Sequence, residues 1–173
     1  PINALTTAFT NLGKGYAGPI PVPVIIFAIV ALISWFFLAK TQFGRYIYAI
    51  GGNEKAALVS GLRVKQLKFL SYVINGMTAA LAGILLAARV AVGSPTAGES
   101  YDLLAITAVV VGGTSNAGGT GGILPSIIGV FIVTVMNNGM DLLGISGYYQ
   151  KIVTGVVVLL AVIIDRNNVN RNH

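Results

Sequence analysis

The chain has 173 residues, of which 55% are hydrophobic and 9% charged, with a formal net charge of +6. Soluble domains carry about 25% charged residues, so this chain lacks the polar surface that water demands and reads as an integral membrane protein. It contains no cysteine and its one histidine, His173, is the last residue, which excludes a disulfide framework and any thiolate metal site.

Residues 1–20 are mixed and turn-rich and read as a loop. The chain opens on Pro1 and has no basic start, apolar core and small-residue cleavage site of a signal peptide. A first span follows over Val22–Ala39, with Pro21 and Pro23 where a helix start tolerates proline. Trp35, Phe36 and Phe37 lie toward its Lys40 end, suited to a membrane interface.

Residues 40–68 hold Lys40, Arg45, Lys55, Arg63, Lys65 and Lys68 against Glu54 alone, six of the chain's eleven basic residues. Positive charge clustered between apolar segments is the positive-inside pattern and not a nucleic-acid footprint, so this loop is expected to be cytoplasmic and residues 1–20 external. The second span, Phe69–Ala88, returns the chain to the outside. Its Gly76, Ala79, Ala80 and Gly83 recur at spacings of three or four and offer a face that a neighbouring helix can approach closely.

Residues 89–102 form an external loop. The apolar run Leu103–Gly113 is eleven residues long. As a helix it rises roughly 16 Å, about half of a hydrocarbon core. It is either a re-entrant half-helix or a span completed by the glycine-rich stretch that follows it. Ile123–Met140 is a third clear span and Tyr148–Ile164 a fourth, followed by a polar tail, Asp165–His173. Arg166 and Arg171 favour a cytoplasmic tail and hence five crossings. The expected fold is an all-α polytopic bundle of about five membrane segments, one of them short or re-entrant and glycine-ended.

The stretch VVVGGTSNAGGTGGI, residues 109–123, invites a phosphate-loop reading. A Walker A loop requires a lysine before Ser or Thr, and no lysine occurs between residues 69 and 150. A dinucleotide fingerprint requires a strand, loop and helix in water. The chain therefore carries no recognisable nucleotide site, and no cofactor is expected. Gly144-Ile145-Ser146-Gly147 resembles the nucleophile motif of rhomboid proteases, but a serine nucleophile needs an adjacent base, and His173 is the only histidine. Asp102 and Asp141 loosely resemble the paired aspartates of presenilin-type proteases, yet both fall at membrane edges, and the second lacks that family's G-x-G-D context.

Within the basic loop, Gly51–Gly61 is a short helix-capable run between glycines. Asn53 suits its N-cap, Glu54 its first turn and Gly61 its end. Such a helix can dock into a groove on another protein; a merely solvated loop has the same composition. Asn75 in the second span and Asn137 and Asn138 near the end of the third are candidates for a translocation pathway, since polar groups inside the membrane are functional by default. Each can instead bond to a neighbouring helix. Tyr148, Tyr149 and Gln150 could line an external mouth, although an aromatic belt accounts for the tyrosines.

Three stretches carry a resemblance: GRYIYAIGGNEKAALVSGLRV (44–64), SYDLLAITAVVVGGTSNAGGTGGI (100–123) and NNGMDLLGISGYYQKIVTGVVVLLAVIIDR (137–166). They resemble the C-terminal half of the permease subunit of bacterial ABC importers for monosaccharides, the ribose, xylose and galactoside class. Residues 16–39 match more loosely. The resemblance implies a single transmembrane permease domain over 1–173, forming the C-terminal half of a longer chain in the bacterial inner membrane, with 40–68 as its cytoplasmic coupling loop. It also implies an ATP-binding ABC subunit inside, a soluble substrate-binding protein outside, a second permease chain, a monosaccharide substrate and surrounding membrane lipid, with no catalysis by this chain. The family's E-A-A-x-x-x-G docking element falls on Lys55, Ala56, Ala57 and Gly61, with Ser60 inside it and Gly52, Asn53 and Glu54 before it. Lys55 stands where the motif has glutamate, which leaves a specific ion pair open but not the docking helix. The alternative within transport is a related permease for branched-chain amino acids or nucleosides, and the alternative of another class is an intramembrane protease.

Overall fold

A computed structural model describes the backbone of residues 7–171 and the side chains of residues 9–163. In chain order the elements are α1 (Thr7–Lys14), β1 (Tyr16–Ala17), β2 (Ile20–Pro21), α2 (Val22–Lys40), α3 (Gln42–Gly52), α4 (Glu54–Val59), α5 (Val64–Val90), α6 (Tyr101–Val111), α7 (Ile123–Leu142) and α8 (Gly147–Arg171). Among the described residues, α2, α5 and α7 are long and apolar enough to cross a membrane, and α6 and the Gly147–Ile163 part of α8 are shorter apolar helices. Their apolar side chains are largely exposed: α2 buries no residue at all within the chain. In water this would be untenable, whereas in a bilayer lipid covers it.

Contacts gather the chain into two compact units, residues up to Phe37 with Arg63–Glu99, and Leu38–Leu62 with the chain from Ser100 onward. In the first unit, α1 rests on the C-terminal end of α5. Gly13 meets the backbone of Ala88 and Arg89 so closely that a Cβ has no room, and Ala88 is fully buried. The two-residue strands pair antiparallel, Tyr16 opposite Pro21 and Ala17 opposite Ile20, around Gly18 at φ +68°. These elements replace the loop expected over residues 1–20 from residue 7 onward. Glycine density hides them in the sequence: Gly13 costs helix propensity but is the residue that lets α1 seat on α5. On the predicted small-residue face of α5, Gly76, Ala79, Ala80 and Gly83 are all exposed. The helix also starts earlier than expected, at Val64, so Lys65 and Lys68 lie on its first turns.

The second unit is built on α6, which packs against both α7 and α8. Gly112 abuts the backbone of Pro125, and Gly129 abuts that of Ala108. The far part of α6, with Tyr101, Leu104 and Ala105, faces Val133, Thr134 and Asn137. The two helices therefore run antiparallel, with residues 112–122 as the turn of the hairpin. Gly129 permits this approach because it has no side chain. Thr107 and Ala108 on α6 and Val133 and Met140 on α7 are buried. Thr107 meets its own polar need by donating Oγ1–H to the Leu103 carbonyl at 2.6 Å.

Between α7 and α8 the chain turns through Gly144 at φ +70°. The amides of Gly144 and Ile145 donate back to the carbonyls of Asp141 (3.0 Å) and Met140 (3.0 Å), a Schellman closure. Gln150 braces it, donating Nε2–H to Asp141 Oδ1 at 2.7 Å and to the Ile145 carbonyl at 2.9 Å. The helix then continues to Arg171, through most of the stretch expected to be a polar tail.

Candidate functional site

The basic segment expected as a loop over 40–68 is mostly helical. Thr41 caps α3, its hydroxyl accepting from the Gly44 amide at 3.4 Å, and Gly44 lies against the Leu38 backbone where a Cβ would not fit. Asn53 then serves two helices at once. Its amide donates to the Ala49 carbonyl at 3.1 Å, closing α3, and its Oδ1 accepts from the Ala56 amide at 3.0 Å, opening α4. Side-chain caps of this kind contribute about 1 kcal/mol each. Glu54 occupies the first turn of α4, where the helix dipole favours a carboxylate.

The end of α4 is equally defined. Gly61 stands at φ +82°, its amide donating to the Leu58 carbonyl at 3.0 Å, and the Leu62 amide donates to the Ala57 carbonyl at 3.1 Å. This is a Schellman motif with glycine at its left-handed position. Ser60 Oγ–H adds a bond to the Ala56 carbonyl at 2.9 Å. The sequence-predicted residues Gly52, Asn53, Glu54, Lys55, Ala56, Ala57, Ser60 and Gly61 are thus one contiguous structural feature. They differ in direction: Ala57 is 5% exposed and seats the helix, while Leu58 is 63% and Val59 88% exposed. Leu58 and Val59 are large apolar side chains projecting from a short, doubly capped helix, with Glu54, Lys55, Ala56 and Ser60 exposed beside them. Ala57, on which the docking motif falls, is buried.

The glycine-rich stretch lies against this feature. A Cβ on Gly51 would sit 2.5 Å from the Gly119 nitrogen, one on Gly118 2.7 Å from the Gly51 carbonyl oxygen, and one on Gly119 2.8 Å from Gly52 Cα. Gly118, Gly119 and Gly121 all have positive φ, at +93°, +77° and +137°. The Tyr48 hydroxyl donates to the Gly121 carbonyl at 2.8 Å. Within the loop the Ser115 amide donates to the Thr120 carbonyl at 3.1 Å, and Ser126 on α7 ties the loop to that helix, its hydroxyl meeting that of Thr114 at 3.2 Å and donating to the Gly122 carbonyl at 2.8 Å. A cleft of about 330 Å³ opens between Tyr48, Gly51, Thr114 and Ser126. Sequence reasoning saw six glycines here but not their partner, and it missed Tyr48 altogether.

Of the three asparagines, Asn75 is exposed on α5 in the first unit and Asn138 is exposed on α7. Asn137 lines a cleft of about 360 Å³ together with Tyr101, Ala105, Ala108, Val133 and Thr134. Its Oδ1 is buried and accepts no hydrogen bond from the described residues. An amide oxygen left so is costly unless a hydroxyl or amide donor reaches it.

The enzyme alternatives find no support in the geometry. Ser146 is exposed, its carbonyl accepting from the Tyr149 and Gln150 amides at the start of α8. His173 lies outside the described residues. Asp102 and Asp141 are exposed at helix ends, and Asp141 is engaged by Gln150. Gln150 therefore braces a turn, and Tyr148 and Tyr149 are exposed as an aromatic belt would be. No cluster of three metal-ligating side chains occurs among the described residues.

Residues 2–162 match the family model described as branched-chain amino acid transport system / permease component. The chain belongs to this permease family. The ribose import permease protein of Bacillus subtilis (strain 168) is 51% identical over 168 residues, covering 96% of this chain and 52% of that protein. The ribose import permease protein of Escherichia coli (strain K12) is 48% identical over 169 residues, covering 95% and 53%. The xylose transport system permease protein of Haemophilus influenzae is 45% identical over 149 residues, covering 86% and 40%. The chain thus spans about half the length of the ribose permeases it matches. No solved structure gives a significant match. The permease chain's capped α4, glycine-rich loop and Asn137 cavity all lie in the second unit.

Proposed function

We propose that this permease chain forms part of the transmembrane subunit of an ATP-driven importer for a pentose-like sugar in a bacterial inner membrane. The observation that carries the reading is the conjunction of high identity to ribose and xylose permeases with an exposed, doubly capped α4. ATP hydrolysis belongs to a partner subunit, to which α4 docks through Leu58 and Val59. A soluble binding protein delivers the sugar from outside, and a second permease chain completes the pathway. Asn137 is its best pathway candidate here, because a sugar hydroxyl is the donor its Oδ1 lacks. Asn75 and Asn138 are weaker candidates.

The family description names branched-chain amino acids, which keeps that substrate as a second reading. The relatives named for ribose and xylose favour a sugar. A neutral amide in an apolar cavity also suits hydroxyls better than the charged ends of an amino acid.

Five crossings fit the hairpin geometry. α7 is long enough to cross, and α6 lies beside it from the level of Pro125 to that of Asn137, so its start and the end of α7 belong to the same side. The 112–122 turn touches Gly51 and Gly52 beside the basic segment, which argues for the cytoplasmic side and, after α8, a cytoplasmic C-terminus.

The test uses Val59→Asp in the complete transporter. Val59 makes no core contact, so membrane insertion should be unchanged while ATPase copurification and pentose uptake fall at least about tenfold, as expected for charge in an apolar contact. Normal copurification and uptake would overturn the docking assignment.

A further inference from the structure

Resting on the docking role of α4, we propose that the glycine-rich turn 112–122 is the transmission element that converts displacement of α4 into movement of the α6–α7 hairpin, with Gly51 and Tyr48 engaging it at Gly119 and Gly121. Four observations combine. First, Asn53 caps both α3 and α4, so the two helices share a joint with no slack residue between them. Second, the last turn of α3 meets the loop backbone to backbone, Gly51 against Gly119 and Gly118. With no side chain between them, there is no rotamer change to absorb a push, and packed interfaces move between discrete arrangements rather than deforming smoothly.

Third, Tyr48 ties the same helix to the Gly121 carbonyl, so α3 can pull on the loop as well as push it. Fourth, the Ser115 to Thr120 bond holds the loop together and the Thr114 to Ser126 bond ties it to α7, and the loop passes directly into the close-packed ends of α6 and α7 at Gly112 and Pro125. Farther along that hairpin lies the cavity holding Asn137. The positive φ values at Gly118, Gly119 and Gly121 explain why the stretch is glycine at these positions; Gly51, which is helical, is glycine only because of what it touches.

The experiment measures sugar transported per ATP hydrolysed by the complete transporter in proteoliposomes, alongside ATPase copurification. Gly51→Ala places a methyl group against the loop without straining its own helical backbone. Copurification and ATP hydrolysis should persist while sugar transported per ATP falls about tenfold, the scale of a local overpacking. Tyr48→Phe keeps the ring and removes one hydrogen bond, for a fall of about threefold. It decides the matter if Gly51→Ala fails to insert. A merely structural role would lower the amount of protein without changing the transport-to-ATP ratio. An unchanged ratio in Tyr48→Phe and in any inserted Gly51→Ala overturns the proposal. Val59→Asp separates the two claims: if it abolishes copurification while the ratio is normal in the loop variants, docking stands and transmission through the loop falls; if Val59→Asp is itself normal, docking falls.

Discussion

Asn53 and Gly61 show how much of a short helical segment a few local rules determine. An asparagine that can accept from a backbone amide three residues on, and a glycine that can stand at φ +82°, bracket a helix of six residues that has too few internal bonds to persist alone. Replacing Gly61 with valine sets a β-branched residue in the left-handed region, at a cost of roughly 1–2 kcal/mol. Amide exchange at residues 56–60 is then expected to accelerate about tenfold, measured by mass spectrometry. Exchange rates equal to those of the unmodified chain would mean that α4 is held by something other than its cap. The direction of Ala57, by contrast, is invisible to capping rules, because it depends on what lies beneath the helix. Asn137 makes a second prediction at this scale. Asn137→Leu removes an unpaired buried oxygen, so thermal stability should hold or rise, while the KM for the sugar should increase about fivefold or more if a hydroxyl bonds there. An unchanged KM would remove Asn137 from the pathway.

At the scale of elements, length and apolarity made the spans legible. Val22–Lys40, Ile123–Leu142 and the core of Val64–Val90 follow from uninterrupted apolar runs, since no other structure satisfies backbone groups in lipid. What stayed hidden are the pieces whose helicity depends on contacts elsewhere. α1 carries a glycine that only its seat on Ala88 explains, and α3 ends in two glycines whose partners lie in the 112–122 turn. The Tyr48 to Gly121 bond joins residues 73 apart, beyond any periodicity or cap signal. The α6–α7 hairpin offers a direct check. Gly129→Ala drives a methyl into the Ala108 carbonyl and should lower stability by about 1–3 kcal/mol, read as a fall in the detergent-solubilised Tm. Gly155→Ala, in the middle of α8 with nothing within 4 Å of an added Cβ, should leave Tm unchanged or raise it, since alanine is the better helix former. Equal Tm values for the two variants would mean that the hairpin is not packed as described.

For the molecule as a whole, the orientation proposed from charge placement and the parity proposed from the helical hairpin can be checked directly. The chain has no cysteine, so single cysteines report cleanly. Ser94 is exposed in the loop after α5, and Ala117 is exposed in the glycine-rich turn, whereas neighbouring Ser115 is buried and unsuited to labelling. Ser94→Cys and Ala117→Cys should react with membrane-impermeant reagents from opposite sides, and same-side labelling would support re-entry of the α6 segment. The family was readable in the sequence because its motifs are contiguous; the substrate was not, because polar contacts to any substrate come from side chains that only folding and assembly bring together. The most direct measurement is therefore ATP-dependent uptake by the complete transporter in proteoliposomes, with labelled ribose, xylose and leucine supplied separately with their binding proteins. Uptake of a pentose that requires ATP, with none of leucine, is the predicted result. Leucine uptake without pentose uptake, or pentose accumulation that persists without ATP, would contradict it.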